Sequence, residues 1–154
     1  MEFFLTKTMI STLTLKKMLI ANLFVSTLVL CVMVMTQIVN YPLFLKITKL
    51  DFKKYHLFYV SRITFVAGPF LLIELFISLI LFLSYSNTTY ALNLIIVILV
   101  FLSTFFIQVP LHNKIGTTSS KKFIKLLIKT NLIRTFLCIT KCTLSYALLT
   151  KEII

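Results

Sequence analysis

Hydrophobic residues gather into four long stretches along the chain, and lysine-rich or polar segments separate them. An α-helix needs about 20 predominantly apolar residues to cross a bilayer, so each stretch is predicted to be a membrane span. The predicted spans cover residues 18–41, 63–84, 90–111 and 126–149. The first holds no charged residue and the second holds only Glu74, whereas Lys129, Arg134 and Lys141 interrupt the fourth.

The segments between the spans complete the predicted fold. The stretch DFKKYHLFYVSR, residues 51–62, is predicted to form an interfacial helix before span two. The short SYSNTT turn, residues 84–89, forces spans two and three to be antiparallel neighbours. Only two Gly and three Pro occur in the chain, which leaves little room for linkers. We therefore predict an all-α fold, an integral membrane four-helix bundle that forms a single transmembrane domain over residues 1–154.

Composition supports a membrane protein rather than a soluble one. The chain is 59% hydrophobic, and its mean hydropathy of +1.03 is far above the range of soluble domains. The net charge of +12 would suggest nucleic acid as the partner of a soluble protein. Basic residues that flank apolar spans instead fit topology control and anionic lipid headgroups, so the predicted partner is the bilayer and not nucleic acid.

The three cysteines all lie within apolar stretches. Cys31, Cys138 and Cys142 are odd in number, which argues against a disulfide framework. Two thiols four residues apart, without a paired His or a further Cys, are a weak sign of metal binding. We expect these side chains to pack as small hydrophobic groups, and we predict no metal site from them.

Basic residues are distributed unequally between the two sides of the predicted bundle. Segments 46–62 and 112–125, together with Lys129, carry ten Lys and Arg, and the opposite side carries four, namely Lys7, Lys16, Lys17 and Lys151. The positive-inside rule places the more basic side in the cytoplasm. The prediction is a multi-pass protein of the inner membrane with both of these long loops cytoplasmic and both termini outside.

Two charged residues are predicted to meet inside the membrane. Glu74 lies about 11 residues into span two, or ~16 Å at helical rise, and Arg134 lies about 8 residues into span four, or ~12 Å. A lone charge at such depth costs at least ~2.5 kcal/mol, so charges within spans normally face the bundle interior and pair. We therefore expect a direct or water-bridged contact between Glu74 and Arg134.

Other polar residues are predicted to lie on the same side of the membrane. Gln108 and His112 are four residues apart and share a helix face if the helix continues through Pro110. We assign Glu74, His112 and Arg134 as candidate catalytic residues. The candidate ligand-binding residues are Gln37, Tyr41, His56, Arg62, Gln108 and Asn131. The alternative is that these groups only form interhelical hydrogen bonds that stabilise the bundle, or anchor the helices at the membrane interface.

Five segments carry a family resemblance. They are QIVNYPLF, YHLFYVSRI, GPFLLIE, QVPLHNKI and TNLIRTFL, which lie between Gln37 and Leu137. Their order resembles that in a group of small, uncharacterised bacterial four-span membrane proteins, which is more distantly similar to anthrone-oxygenase-like proteins. The resemblance implies a four-helix bundle with a ligand-binding or oxygenase-like role, and it supplies no mechanism.

Three functions are consistent with these observations. The first is a protein that binds or oxidises a lipid-soluble small molecule or cofactor, with His56 and His112 available to ligate a haem or metal or with His112 as a proton acceptor. The second is a structural or partner-binding membrane subunit. The third is a small proton-coupled carrier, which would need to form a homo-oligomer because four spans are few for a carrier. The sequence leaves open whether the protein is an enzyme, and it identifies no cofactor.

Overall fold

A computed structural model describes the backbone of residues 2–153 and the side chains of residues 13–152, and all but a few of these residues are helical. The described range holds no β-strand. The helices are α1 (Glu2–Met35), α2 (Tyr41–Phe44), α3 (Lys49–Tyr85), α4 (Thr88–Ser103), α5 (Val109–Thr118) and α6 (Lys121–Ile153). Two π-helical turns, Thr36–Asn40 and Thr104–Gln108, join α1 to α2 and α4 to α5 without breaking the helical path.

The long helices form a bundle with a simple neighbour pattern. α1 packs against α3 and α6, and α4 also packs against α3 and α6, so the four helices form a ring in the order α1, α3, α4, α6. Four segments of the described range are long and apolar enough to cross a membrane: Leu13–Phe44, Lys49–Tyr85, Thr88–Thr118 and Lys121–Glu152. The predicted all-α fold is confirmed, and the chain has the spans of a multi-pass membrane protein.

Short, well-capped turns separate the spans. Thr48 caps α3 by accepting a hydrogen bond from the backbone N–H of Asp51, and Asn87 caps α4 by accepting from the N–H groups of Thr89 and Tyr90. Ser86 ends α3 in the left-handed region, with φ of 38°. Only Ser86 and Asn87 lie between α3 and α4, which confirms the predicted short turn between spans two and three.

The basic segments are more helical than predicted. Residues 51–62 are the first turns of α3 and continue into span two, so they do not form a separate helix. Within the predicted loop 112–125, only Ser119 and Ser120 lie outside a helix. The physical reason is that a lysine-rich segment is a good helix former, and the bundle extends its helices beyond the apolar stretch that the sequence marks.

Aromatic and aliphatic side chains fill the interior in three clusters. The cluster nearest the basic segments contains Tyr41, Phe44, Phe52, Leu111, Ile115, Ile124 and Leu127, which come from α2, α3, α5 and α6. Large hydrophobic side chains also cover the outer surface, including Phe24, Phe65, Phe106 and Phe136, each more than 60% exposed. Such a surface fits contact with lipid rather than water.

Candidate functional site

A cavity of about 310 Å³ lies between the four spans at the end of the bundle that carries the basic segments. Its walls are mostly apolar and include Val32, Met33, Ile63, Leu71 and Phe101. Its polar end is formed by Thr36, Tyr41, Tyr59, Gln108, His112 and Arg134.

The cavity reaches the outer surface of the bundle between α3 and the second π-helical turn. Leu72 and Phe105 line it there, and their side chains are 59% and 60% exposed. Gly68 also lines the cavity, and a Cβ added at this position would meet no atom within 4 Å. The cavity is therefore open toward the lipid-facing surface and has free space beside Gly68.

Both π-helical turns lie beside the cavity, and each ends two residues before a proline. Pro42 follows the turn at Thr36–Asn40, and Pro110 follows the turn at Thr104–Gln108. Proline lacks an N–H and its ring collides with the carbonyl four residues earlier, and a wider turn relieves this collision. Span one is predicted to end at residue 41, just before Pro42, whereas the helix continues through this proline to Phe44. Each widened turn brings a polar residue, Thr36 or Gln108, to the cavity.

Three side chains form a hydrogen-bonded chain that begins at the cavity. The Tyr41 hydroxyl lies 3.1 Å from Nε2 of His112, and Nδ1 of His112 lies 3.0 Å from Nε2 of His56. In the contact between the two imidazoles, one nitrogen must accept the hydrogen bond that the other donates, so His56 and His112 cannot both be imidazolium. Tyr41 and His112 line the cavity, and His56 lies behind them, 3% exposed. The chain therefore connects the cavity to the basic end of the bundle.

The end of this chain is packed closely against α5. Nδ1 of His56 is buried and has no hydrogen-bond partner among the described residues. A Cβ added to Gly116 would lie 3.2 Å from this nitrogen. Glycine at this position therefore allows the imidazole of His56 to approach α5 and remain within reach of His112.

Arg134 lies at the polar end of the cavity and has no acidic partner among the described side chains. The side chain is 5% exposed, and Nη1 donates to Oδ1 of Asn131 at 3.4 Å. Nδ2 of Asn131 donates in turn to Oε1 of Gln37 at 2.8 Å. Nε of Arg134 has no hydrogen-bond partner in the described part of the chain. The guanidinium is thus held by neutral groups, and its buried Nε–H makes no hydrogen bond to a described residue.

Gln108 lines the same cavity and has a buried acceptor that makes no hydrogen bond to a described residue. Its Nε2 donates to the hydroxyl of Thr130 at 3.1 Å, and this hydroxyl donates to the carbonyl of Leu126. Because the Thr130 hydroxyl is already a donor, the amide of Gln108 must present its nitrogen there and its oxygen elsewhere. Oε1 of Gln108 is buried and has no partner among the described residues.

The ion pair of Glu74 is formed with Lys141, and the predicted direct contact with Arg134 is absent among the described side chains. Oε1 of Glu74 lies 3.4 Å from Nζ of Lys141, and the two side chains are 3% and 2% exposed. This is the one salt bridge found among the described side chains, so Glu74 and Arg134 are not in direct contact. Lys141 lies seven residues, or ~10 Å, beyond Arg134 along α6, which places the pair in a different layer of the bundle.

Lys141 is the centre of a polar cluster that draws on all four long helices. The Lys141 cluster consists of Asn22, Ser26, Glu74, Ser78, Asn93, Lys141 and Ser145. Nζ of Lys141 donates to Asn22 at 3.0 Å and to Ser26 at 2.9 Å. The sequence did not indicate this partner, because the depths of Glu74 and of the cations in span four were counted from the predicted start of each span. Glu74 lies 11 residues before the end of α3 and Lys141 lies 12 before the end of α6, so the opposite ends give the match.

The nine predicted site residues fall into three groups. Tyr41, Gln108, His112 and Arg134 line the cavity, and His56, Gln37 and Asn131 are bonded to them directly or through one another. Glu74 belongs to the Lys141 cluster and does not line the cavity. Arg62 is exposed, and its guanidinium lies over the ring of Phe58 at 5.3 Å on the outer surface.

The geometry limits how the histidines could hold a metal. The described residues contain no group of three or more His, Cys, Asp or Glu side chains close enough to share an ion. Both ring nitrogens of His112 are already in hydrogen bonds, to Tyr41 and to His56. Ligation of a haem iron or metal by His112 would therefore break one of these two bonds.

Comparison with protein-family models, with curated proteins and with solved structures gives no match to this chain. The resemblance of the five quoted segments to the bacterial four-span family stays a prediction from the sequence.

Proposed function

We propose that the protein binds a lipid-soluble small molecule in the cavity between its spans. The observation that carries this proposal is a cavity with apolar walls and a polar end, lined by Arg134 and Gln108, whose buried Nε and Oε1 atoms have no hydrogen-bond partner among the described residues. Its volume of about 310 Å³ lies at the lower end of the usual range for ligand sites. The opening beside Leu72 and Phe105 gives a ligand a path from the bilayer.

The chain of Tyr41, His112 and His56 supports a role in proton exchange with that ligand. A neutral imidazole can accept a proton at one nitrogen and release one from the other. His112 has one nitrogen toward Tyr41 at the cavity and the other toward His56. We propose that, if the bound molecule reacts, His112 is the group that gives or takes its proton.

The binding proposal can be tested with a single tryptophan, because the natural chain has none. Phe105→Trp places the reporter at the cavity opening, and Phe136→Trp places one on the lipid-facing side of α6. Brominated long-chain probes, a carboxylic acid and its methyl ester, quench tryptophan at contact. The purified full chain in nanodiscs should show saturable quenching for Phe105→Trp by at least one probe, and only linear quenching for Phe136→Trp.

Substitution of Gly68 supplies the matched control for the cavity. Gly68→Phe should fill the cavity and abolish saturable quenching, whereas Gly68→Ala should leave it unchanged because its Cβ meets no atom within 4 Å. Equal saturable quenching in the Phe and Ala variants would show that the probe binds elsewhere. Linear quenching by every probe at both reporters would contradict the proposal.

The Lys141 cluster favours a second candidate, a structural or partner-binding membrane subunit. Its hydrogen bonds join α1, α3, α4 and α6, and none of its seven members lines the cavity. Polar groups used in this way stabilise a bundle without binding a ligand.

A proton-coupled carrier that titrates Glu74 is the third candidate, and it requires a homo-oligomer. Loss of probe binding in Gly68→Phe would favour the first candidate over both.

We further propose that the protein lies in the inner membrane with segments 46–62 and 112–125 in the cytoplasm. The proposal rests on the excess of Lys and Arg on this side of the bundle. A phosphatase fusion, active only outside the cytoplasm, should be inactive after residue 119 and active after residue 87. The reverse result would contradict the orientation.

A further inference from the structure

We infer that the molecule held in the cavity is an anionic amphiphile, whose oxyanion head binds Arg134 and whose apolar tail lies along the cavity walls. This inference rests on the proposed binding function and adds the chemical class of the ligand. It depends on the charge balance around Arg134, which the chain itself leaves incomplete.

The protein has few groups that could neutralise Arg134. The chain contains four acidic residues, Glu2, Asp51, Glu74 and Glu152. Asp51 accepts a hydrogen bond from Thr48 at the start of α3, and Glu74 is paired with Lys141. Glu152 lies 18 residues beyond Arg134 along α6, or ~27 Å, and Glu2 begins α1, the helix that ends at Met35.

The groups that do surround Arg134 are neutral. Nη1 donates to the amide oxygen of Asn131, and the phenol of Tyr41 interacts electrostatically with the guanidinium. An arginine keeps its charge in any protein environment, so burial cannot neutralise it by loss of a proton. A buried cation that cannot lose its charge is costly unless an anion pairs with it. The missing anion must therefore come from outside the chain.

The second buried cation of the bundle shows the contrast. Lys141 is 2% exposed and has a carboxylate at 3.4 Å together with three further oxygen acceptors. Arg134 is 5% exposed, has only the neutral amide of Asn131 and the neutral phenol of Tyr41 as polar partners among the described side chains, and has a buried Nε that makes no hydrogen bond to them. The bundle thus completes one cation site with its own side chains and leaves the other open, and the open one faces the cavity.

The shape of the site selects an amphiphile rather than an inorganic ion. The planar guanidinium fork suits a carboxylate or phosphate, which offers two oxygens. Beyond this head, the cavity walls are apolar and continue to the opening at Leu72 and Phe105. A carboxylate or phosphate head on a single apolar tail would place its charge at Arg134 and its tail toward the bilayer.

The test compares charged and uncharged probes on the full chain in nanodiscs of zwitterionic lipid, with Phe105→Trp as the reporter. The probes are a brominated long-chain carboxylic acid, its methyl ester and the matching long-chain alkyl phosphate. A charge-assisted hydrogen bond contributes roughly 10- to 100-fold in affinity, so the acid or the phosphate should bind at least about ten-fold tighter than the ester. The stronger of the two anions identifies a carboxylate or a phosphate head.

Two arginine variants separate the role of Arg134 from general positive charge. Arg134→Gln should abolish the preference for the anion, whereas Arg62→Gln, which removes an exposed arginine outside the cavity, should retain it. If neither the acid nor the phosphate binds tighter than the ester in the protein that keeps Arg134, the inference is overturned, and this comparison holds even if Arg134→Gln does not fold. An anion preference that survives in folded Arg134→Gln would overturn it as well.

The outcomes also distinguish this inference from the proposed function. If all three probes bind equally and Gly68→Phe abolishes their binding, the cavity binds lipid-soluble molecules and only the anionic class is wrong. If none of the three probes gives saturable quenching, the binding function itself fails, and the inference fails with it.

Discussion

At the scale of single residues, two buried cations on α6 have opposite surroundings. Lys141 has a carboxylate partner and neutral acceptors from α1 and α6, whereas Arg134 has the neutral amide of Asn131. Lys141 is therefore assigned a role in the stability of the bundle, and Arg134 a role in binding a ligand in the cavity. Each assignment leads to a separate experiment.

Removal of the ammonium of Lys141 should destabilise the protein strongly. Lys141→Met leaves Glu74 buried without a cation, and loss of one partner of a buried pair typically costs about 3–5 kcal/mol. The double variant Lys141→Met with Glu74→Gln should recover most of this loss because no lone charge remains. Denaturant titration of the purified protein in detergent measures the free energy of unfolding of the single and of the double variant. A double variant no more stable than the single one would show that Glu74 is not the partner that matters.

A methyl group on Gly116 should disturb the chain of Tyr41, His112 and His56. Its Cβ would lie 3.2 Å from Nδ1 of His56, so the imidazole must shift by a few tenths of an ångström, which changes the geometry of its 3.0 Å contact with His112 through Nε2. The imidazole nitrogen chemical shifts of both histidines should change in Gly116→Ala. Gly68→Ala is the control and should leave them unaltered.

At the scale of elements, prolines 42 and 110 shape the helices beside the cavity. Both follow a π-helical turn, while α3 continues through Pro69 with no such turn. The extra residue in each π-helical turn changes which side chains face inward after it. The turn at Thr104–Gln108 directs Gln108 toward Thr130 and the cavity.

Replacement of Pro110 should separate ligand binding from stability. Pro110→Ala restores a backbone donor and allows regular α-helix, so the protein should be at least as stable as the natural one. The register after residue 104 changes with the π-helical turn, so probe affinity at Phe105→Trp should fall about ten-fold or more through loss of the polar end. Pro69→Ala should add stability without this loss. Unchanged affinity in Pro110→Ala would show that the π-helical turn does not position Gln108.

At the scale of the whole molecule, charge is concentrated at one end of an apolar bundle. The net charge is +12, and exposed lysines such as Lys53, Lys121, Lys122 and Lys125 lie at the end that carries the cavity. Basic residues near a membrane surface interact with anionic headgroups by about 1 kcal/mol each. The same end would attract an anionic ligand toward the cavity opening.

Anionic lipid should therefore stabilise the protein from this end. The midpoint of thermal unfolding should be higher in nanodiscs with anionic lipid than in zwitterionic ones, and salt should reduce the difference. The triple variant Lys121→Gln, Lys122→Gln and Lys125→Gln should lose much of the gain. Lys17→Gln with Lys151→Gln, at the opposite end, should lose less. Equal losses in the two sets would contradict the concentration of this effect at the basic end.

The sequence by itself determined the four spans, the short turn between the second and third, and the class of fold. The physical reason is that hydrocarbon requires long uncharged helices, and this requirement is visible in composition alone. It also indicated that Tyr41, Gln108, His112 and Arg134 belong to one region, because polar side chains near the same ends of neighbouring spans must share a face of the bundle.

Only the tertiary structure decided which of these residues meet. The rotation and offset of each helix determine whether Glu74 faces Arg134 or Lys141. An error of a few residues in a predicted span boundary is enough to match the depth of Glu74 with either of them. The two π-helical turns make the contacts still harder to predict, because each one changes which side chains face the bundle interior after Thr36 and after Thr104. The cavity beside Gly68 has no sequence signal, since empty space depends on how four helices pack rather than on any one of them.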